Sequence, residues 1–349
     1  MPADRGLDTA PEVVTVAGGG VRPCHPRWKA GPPLTSTNPV NVVVCEALLR
    51  DGIQGWNEPI PTSDKIGLLE AIVASGIQEI DVTSFVPPSV VPQFSDSLDV
   101  LGAVPDGVRT RVLTVNLKGT HRVVEAHERT RHIDLCGIPY SVSEKHNLAN
   151  LRRDHQTHRR EVAAMVEQLR QHGIETLLGV ATAYGCPIQG EVPREEVLAT
   201  VEWAHALGIR SMMFGDTTGM ADPRTVRELF STAVEQWPDV EFIAHFHDNR
   251  GCGVANAIAA IESGARTVDA SLGGVGGEPA AVDQGFVGES GNVATEDLVA
   301  VLEQMGVSTG IDPQALLRAG ALAERTLGRP LHSRVQRAGV IPFTPTRKA

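Results

Sequence analysis

Two histidines separated by one residue, His245 and His247, follow a short apolar run at residues 240–244. In an extended strand, positions i and i+2 point to the same side, so both imidazoles can reach one ion. Arg50 and Asp51 follow another apolar run far upstream. Two imidazoles with a carboxylate suit Mg²⁺ or Mn²⁺ in octahedral coordination better than a thiolate-rich zinc site. The alternative is an ordinary pair of histidines near a strand end.

The composition limits the classes of protein to which the chain can belong. Its 349 residues are enough for one large α/β barrel or for two ordinary domains. Hydrophobic residues make up 42% and aromatic residues only 4%, so aliphatic side chains must fill the core. The formal charge of −11 without a long basic run argues against nucleic acid as a partner. No apolar run reaches membrane-spanning length, which argues against a membrane protein.

Five cysteines are scattered along the chain, and none forms a C-x-x-C pair. This pattern argues against a disulfide framework and predicts a reducing, cytoplasmic location. Residues 1–39 are rich in proline, glycine and threonine and lack the apolar core of a secretory signal. We therefore expect these residues to form a flexible N-terminal extension.

Strand-like and helix-like segments alternate from the end of this extension to about residue 305. Helical patterns fall at 63–75, 158–172, 194–207, 223–236 and 253–263, with Thr62 or Ser63 as a cap of the first and Gly76 as its end. Asp222 with Pro223 opens another helix. The eight candidate strands are residues 42–47, 79–84, 111–115, 133–138, 176–181, 210–214, 241–245 and 267–271.

Eight such units over about 260 residues predict a (β/α)₈ TIM barrel, with a doubly wound open sheet as the alternative. The barrel is favoured because polar residues recur at the carboxyl ends of the strands, and a barrel brings all of these ends to one face. We expect the catalytic barrel to span residues 40–310, followed by a C-terminal helix and tail at 311–349.

Several short motifs occur along the barrel in a fixed order. Together they resemble 3-hydroxy-3-methylglutaryl-CoA lyase, within the wider superfamily of metal-dependent barrel lyases, aldolases and Claisen-type synthases. The likeness covers roughly residues 40 to 335. The motifs are Arg50-Asp51-Gly52-Ile53-Gln54, residues 83–93, 116–119, 185–187, 215–219, 245–248, 273–277 and 290–297.

The resemblance implies a metal site formed by Asp51, His245, His247 and Asn292, and His245 would also be a catalytic residue. Oxygen and nitrogen ligands of this kind agree with Mg²⁺ or Mn²⁺ as the cofactor. Asn292 could instead cap the helix that begins at residue 294, and Asp51 could be a turn residue before Gly52.

Arg50 would stabilise the negative charge that develops on oxygen during bond cleavage. Its alternative role is a surface salt bridge, which usually contributes little. Asp81 could orient the Arg50 guanidinium or act as an acid or base. Lyases of this type usually have glutamate at this point, and aspartate is one methylene shorter.

Three further residues are candidates for the substrate site. Gln54 and Asn116 could contact the substrate, although Asn116 could equally serve loop structure. Asp216 could support the metal ligands by holding His245, or it could cap the end of a strand.

One position departs from the family pattern. After Gly276 and Gly277 the lyases carry a catalytic cysteine, whereas this chain has Glu278, and the stretch from there to Asn292 is about five residues longer than usual. A glutamate can donate a proton if burial raises its pKa. Glu278 could instead repel an acidic substrate or indicate different chemistry.

The sequence therefore predicts a metal-dependent carbon–carbon lyase acting on a 3-hydroxyacyl thioester of CoA, nominally 3-hydroxy-3-methylglutaryl-CoA, with acetyl-CoA and acetoacetate as products. Alternatives are an aldolase or Claisen-type synthase on a different oxo acid, and an inactive barrel that binds metal and ligand. Barrels of this kind commonly pair, so a homodimer is expected.

Overall fold

Eight parallel strands close into a barrel in the computed structural model, which describes residues 42–56, 58–277 and 291–341. Each strand pairs with the next, and β8 pairs with β1 through the register Val43 to Thr267. The predicted barrel is thus confirmed and the open sheet is wrong. The strands are β1 (Val43–Glu46), β2 (Glu79–Ser84), β3 (Arg109–Leu113), β4 (Leu135–Ser141), β5 (Glu175–Ala181), β6 (Ser211–Asp216), β7 (Glu241–Phe246) and β8 (Thr267–Ala270).

Helices connect the strands and surround the sheet. The five predicted helices are present, and their ends differ from the prediction by at most three residues. The α-helices of the described residues are α1 (Thr62–Ala74), α2 (Ser97–Gly102), α3 (Leu117–Arg129), α4 (Glu144–Leu151), α5 (His155–Gln171), α6 (Arg194–Ala206), α7 (Pro223–Gln236), α8 (Gly253–Glu262), α9 (Thr295–Met305), α10 (Pro313–Thr326) and α11 (Val335–Ala338).

Two of the helix ends predicted from capping residues are confirmed, and one predicted cap is wrong. Asp222 forms a capping box at the start of α7. Gly76, with φ +95°, follows the last turn of α1 and ends that helix. The predicted cap of α1 by Thr62 or Ser63 is wrong, because Pro61 is the N-cap and the Thr62 hydroxyl donates to Asp96 Oδ2 instead.

The core lies between the sheet and the helices and is mainly aliphatic, as the scarcity of aromatic residues predicts. A second, smaller cluster fills the inside of the barrel below its open end. It contains Leu135, Leu177 and Ile243, with Met213 packed against them. This apolar plug closes the barrel, so the polar residues above it face the carboxyl ends of the strands.

The C-terminal helix predicted from Asp312 onward is α10, which Asp312 caps through the Gln314 amide. The following segment packs beside the glycine-rich stretch after β8: the His332 amide donates to the Gly273 carbonyl over 2.8 Å. Residues 1–41 and 342–349 lie outside the described residues, so the predicted extension and the end of the tail stay predictions. Within the described ranges no helix has the length and apolarity needed to cross a membrane.

Candidate active site

The predicted ligands His245, His247 and Asp51 meet at the carboxyl end of the barrel. His245 lies in β7, His247 lies one residue beyond it, and Asp51 lies in a π-helical turn, Leu48–Gly52, after β1. Each residue offers one ligand atom, and these atoms lie within 4.8 Å of one another. All three side chains are buried. The strand alternation therefore places both imidazoles on the side that the sequence predicted.

The hydrogen bonds of the two imidazoles determine which nitrogens face each other. His245 Nδ1 lies 3.1 Å from Asp269 Oδ2, and His247 Nδ1 lies 2.6 Å from the Thr217 carbonyl oxygen. Both Nδ1 atoms therefore donate to these oxygens, which leaves the Nε2 atom of each ring to face the other ring. These Nε2 atoms are only 3.3 Å apart, an arrangement that a cation held by both atoms would stabilise.

Asn292 completes this group of side chains. Its Nδ2 donates to Asp51 Oδ2 over 2.7 Å and to the Val275 carbonyl over 3.0 Å. Its Oδ1 is buried and has no hydrogen-bond partner among the described residues, so this oxygen is available to a metal ion. The alternative role as a helix cap is wrong, because the N-cap of α9 is Ala294. The four residues thus fit a divalent ion with oxygen and nitrogen ligands.

The glycine-rich segment after β8 passes directly over this group of side chains. A Cβ atom at Gly276 would lie 2.2 Å from Asn292 Nδ2 and 3.2 Å from Asp51 Oδ2, and the residue has φ +131°. Both the close approach and the backbone conformation require glycine here. Glu278 follows two residues later and lies outside the described residues.

Arg50 is buried and forms two ion pairs, so its alternative role as a surface salt bridge is wrong. Its Nη1 lies 2.6 Å from Asp51 Oδ1, and its Nε lies 2.6 Å from Asp81 Oδ2. Burial alone would raise the pKa of Asp51, but Arg50 and the imidazoles lower it well below its usual range. Burial outweighs Arg50 at Asp81, where the pKa is raised. The guanidinium is thus fixed beside the candidate metal ligands.

A charged network that the sequence analysis missed supports His245 from inside the barrel. Arg111 Nη1 donates to Asp269 Oδ1 over 2.7 Å, and Arg111 Nε donates to Glu79 Oε1. Asp269 therefore joins Arg111 to His245, and all of these side chains are buried. The available signal was the alternation of charged residues in two apolar strands, Glu79 with Asp81 and Arg109 with Arg111.

Three other predicted site residues take different positions. Asp216 accepts hydrogen bonds from the Met220 and Ala221 amides over 2.6 and 3.1 Å, which is the strand-end cap. It does not hold His245, because Asp269 occupies that role; burial raises the pKa of Asp216 to about 6. Asn116 caps α3 by accepting from the Gly119 amide. Gln54 is half-buried just after the π-helical turn.

The geometry agrees with the comparison to protein families. The HMGL-like family model matches residues 41–323, which is most of the chain. The chain belongs to the HMGL-like family. The resemblance stated from the motifs is thereby confirmed, and the match includes all of the described site residues.

Relatives of this HMGL-like protein are named lyases, which confirms the predicted enzyme class. A hydroxymethylglutaryl-CoA lyase of Bacillus subtilis is 33% identical over 85% of this chain and 96% of its own length. An (R)-citramalyl-CoA lyase of Chloroflexus aurantiacus is 34% identical over 86% of this chain and 95% of its own length. A mitochondrial hydroxymethylglutaryl-CoA lyase of Arabidopsis thaliana is 34% identical over 84% of this chain, which spans 61% of that protein.

Solved structures give the same family. An HMG-CoA lyase from Acinetobacter baumannii, in complex with coenzyme A and 3-methylmalate, superimposes with a TM-score of 0.79 at 35% identity, covering 87% of this chain and 97% of that one. The Bacillus subtilis HMG-CoA lyase gives a TM-score of 0.79 at 32% identity, covering 86% and 98%.

Proposed function

We propose that this HMGL-like protein is a divalent-metal-dependent carbon–carbon lyase that acts on a 3-hydroxyacyl thioester of CoA. The observation that carries the proposal is the pair of imidazole Nε2 atoms 3.3 Å apart, with Asp51 Oδ2 3.6 Å from His247 Nε2. Two ring nitrogens and a carboxylate oxygen at these distances are a donor set that suits a divalent cation. Asp51, His245, His247 and Asn292 would hold Mg²⁺ or Mn²⁺, and the nominal substrate is 3-hydroxy-3-methylglutaryl-CoA.

Bound at this site, the ion would lower the pKa of the substrate 3-hydroxyl group and polarise a carbonyl oxygen. The hydroxyl proton passes to a base at the carboxyl end of the barrel, the hydroxyl oxygen becomes the carbonyl oxygen of the oxo acid, and the C2–C3 bond breaks. The electron pair of that bond passes to C2 and gives the enolate of the released thioester. Arg50, held by Asp51 and Asp81, lies where its guanidinium can stabilise the charge on the enolate oxygen.

A proton must then reach C2 of the enolate, and Glu278 is the proposed donor in place of the usual cysteine. The position of the preceding backbone supports this role. Gly276, two residues before Glu278 in the sequence, lies against Asn292 and Asp51. A carboxyl group there would donate if exclusion of water raised its pKa.

A different acyl group is the main competing proposal. The similarity to a citramalyl-CoA lyase is as strong as that to the hydroxymethylglutaryl-CoA lyases. An aldolase or Claisen-type synthase on another oxo acid would use the same ligands in the direction of bond formation. An inactive barrel would keep the ligands and show no turnover. A homodimer and a cytoplasmic location remain predictions.

A single-turnover product analysis would test these proposals. Purified protein, stripped of metal and reloaded with Mn²⁺ or Mg²⁺, would be mixed with a panel of 3-hydroxyacyl-CoA thioesters and of acyl-CoA plus 2-oxo acids. We expect cleavage to a shorter acyl-CoA and an oxo acid, and we expect exhaustive chelation to abolish it. Turnover that persists after chelation would contradict the metal role, and bond formation without cleavage would favour the synthase.

A further inference from the structure

A small cavity lies inside the barrel between the apolar plug and the metal ligands. Its volume is about 20 Å³, close to the space that one water-sized group needs. The residues that line it, both charged and apolar, belong to strands β2 to β6 and to the turn after β1. The cavity is lined by Arg50, Asp81, Arg111, Val112, Leu113, Gly137, Ile138, Leu177, Gly179 and Met213.

Two charged residues of this lining each have one polar atom without a partner. Arg111 Nη2 and Asp81 Oδ1 are buried and have no hydrogen-bond partner among the described residues. Arg111 is 2% exposed and Asp81 is 5% exposed, so bulk solvent does not satisfy these atoms. Burial without a partner is costly for a guanidinium nitrogen and for a carboxylate oxygen. The residues that line the cavity therefore include one unpaired donor and one unpaired acceptor.

The opposite wall leaves room for a ligand. Gly137 and Gly179 stand at positions of β4 and β5 that line the cavity, and neither has a positive φ. Their backbone conformation therefore does not require glycine, and what distinguishes them is the lack of a side chain. Leu113, Gly137 and Met213 are partly exposed, so the lining of the cavity is not fully sealed from solvent.

We propose that Arg111 and Asp81 form a subsite for a hydroxyl group on the acyl chain of the substrate, on the carbon next to C3. This inference rests on the proposed function and specifies its substrate class. A hydroxyl can accept from the guanidinium and donate to the carboxylate at the same time. A carboxylate would face Asp81 as a like charge and exceeds the cavity in size, and a methyl group would leave both polar atoms unsatisfied.

A matched pair of thioesters tests the subsite. The compounds are 3-hydroxy-3-methylglutaryl-CoA and its counterpart with a hydroxymethyl group in place of the 3-methyl group, which differ by one oxygen atom. We expect kcat/KM to be at least about tenfold higher for the hydroxymethyl compound, because only its hydroxyl satisfies both buried atoms. Equal rates, or a preference for the methyl compound, would overturn the proposal.

Two variants test whether the preference for the hydroxymethyl thioester arises at this cavity. Arg111→Lys keeps a cation near Glu79 and Asp269 but removes the second guanidinium nitrogen. Gly137→Ala narrows the cavity, and its new methyl group would come no nearer than 3.4 Å to the Val112 carbonyl. In both variants we expect the ratio between the two thioesters to fall toward one. A ratio that stays at the native value in both variants would place the preference elsewhere.

Gly67→Ala is the matched control for the glycine change. A Cβ atom at Gly67 would meet nothing within 4 Å, and the residue lies in α1, away from the cavity. This variant should keep the native ratio. A fall in the control as large as that in Gly137→Ala would assign the effect to general perturbation and would overturn the proposal.

Calorimetric titration separates failure of the subsite from failure of the proposed function. If neither thioester is cleaved, the proposed reaction is wrong, and the two dissociation constants can be measured on stable compounds. A dissociation constant about tenfold lower for the hydroxymethyl compound would still support the subsite. Equal constants, or no binding of either compound, would overturn it.

Discussion

The two imidazoles show how a single hydrogen bond fixes the chemistry of a side chain. The spacing of His245 and His247 predicts that they share a side of β7, but it does not predict which nitrogens meet. Asp269 on β8 and the Thr217 carbonyl after β6 determine this, since each holds one Nδ1 atom. One partner lies on β8 and the other follows β6, so only the closed barrel brings them into contact with the imidazoles. Spacing predicted that the two imidazoles lie together, and tertiary structure was needed for their orientation.

Replacing His247 with alanine should abolish metal binding while the barrel stays folded. The variant loses one Nε2 ligand at the carboxyl end of the barrel, outside the aliphatic core. Metal content measured by mass spectrometry should drop from about one ion per chain to background, with a native circular dichroism spectrum. Normal metal stoichiometry in this variant would contradict the ligand assignment.

Asp269→Asn should weaken metal binding without removing a ligand. The change removes the negative charge that holds the His245 Nδ1 proton, and changes to such supporting partners typically cost about 10–100-fold in metal affinity. Competition with a chelator of known affinity would measure this effect. Glu241→Gln is a suitable control, because Glu241 lies at the opposite end of the barrel on β7. Equal affinities of the two variants would remove Asp269 from this positioning role.

Glu278→Gln should lower kcat much more than it changes KM, because the amide keeps the size of the side chain but cannot donate a carboxyl proton. Steady-state kinetics with the cleaved thioester would measure both constants. Glu278→Cys is the companion variant and should retain a proton donor. Near-native turnover of the glutamine variant would exclude Glu278 from the mechanism.

The strands and main helices were predictable because buried parallel strands appear as short apolar runs between amphipathic helices. The charged residues inside the barrel were not predictable, since Glu79, Asp81 and Arg111 occur in the otherwise apolar strands β2 and β3. Burial of these charges depends on pairing across strands that are distant in sequence. Caps were uncertain for a related reason: Thr62 and Asn292 are good capping residues whose side chains have other partners.

Helix α9 carries a carboxyl group whose titration should be visible in stability. Burial raises the pKa of Glu296 to about 8, although both of its oxygens accept from the Gly273 amide. The folded state therefore binds a proton that the unfolded state releases near pH 4.5. Its contribution to stability is full below that pH and is lost as pH rises toward 8.

The native protein should accordingly lose on the order of 2 kcal/mol of unfolding free energy between pH 5 and pH 8, and Glu296→Gln should lose less. Urea denaturation at several pH values would measure both slopes. Glu303→Gln on the same helix is the control, because Glu303 is only half-buried. Identical slopes for the native protein and Glu296→Gln would show that Glu296 does not titrate in this range.

At the scale of the molecule, the number of strands and helices predicted the closed barrel, and the convergence of polar residues at its carboxyl end followed from that closure. Inside the barrel, Arg111 on β3 forms ion pairs with Glu79 on β2 and with Asp269 on β8. Charges inside the barrel thus connect strands on both sides of the point where the sheet closes.

Arg111→Met should therefore destabilise the whole barrel by about 3–5 kcal/mol, because it removes the guanidinium from buried Asp269 and leaves buried Glu79 with Arg109 alone. Chemical denaturation would measure the loss as a shift of the unfolding midpoint. The double variant Glu79→Gln with Arg111→Met should recover part of the stability. A loss within about 0.5 kcal/mol, as for an ordinary surface change, would contradict the importance of this network.

Gly273 has a consequence for how variants of this protein should be interpreted. Its φ is +63°, and a Cβ atom there would lie 2.4 Å from the Cβ of Leu331. Any larger residue would displace the C-terminal segment and shift the backbone leading to Gly276. A missense change at Gly273 would therefore inactivate the protein, although glycine contributes no reactive group. The severity of such a variant would be underestimated if only the loss of functional groups were considered.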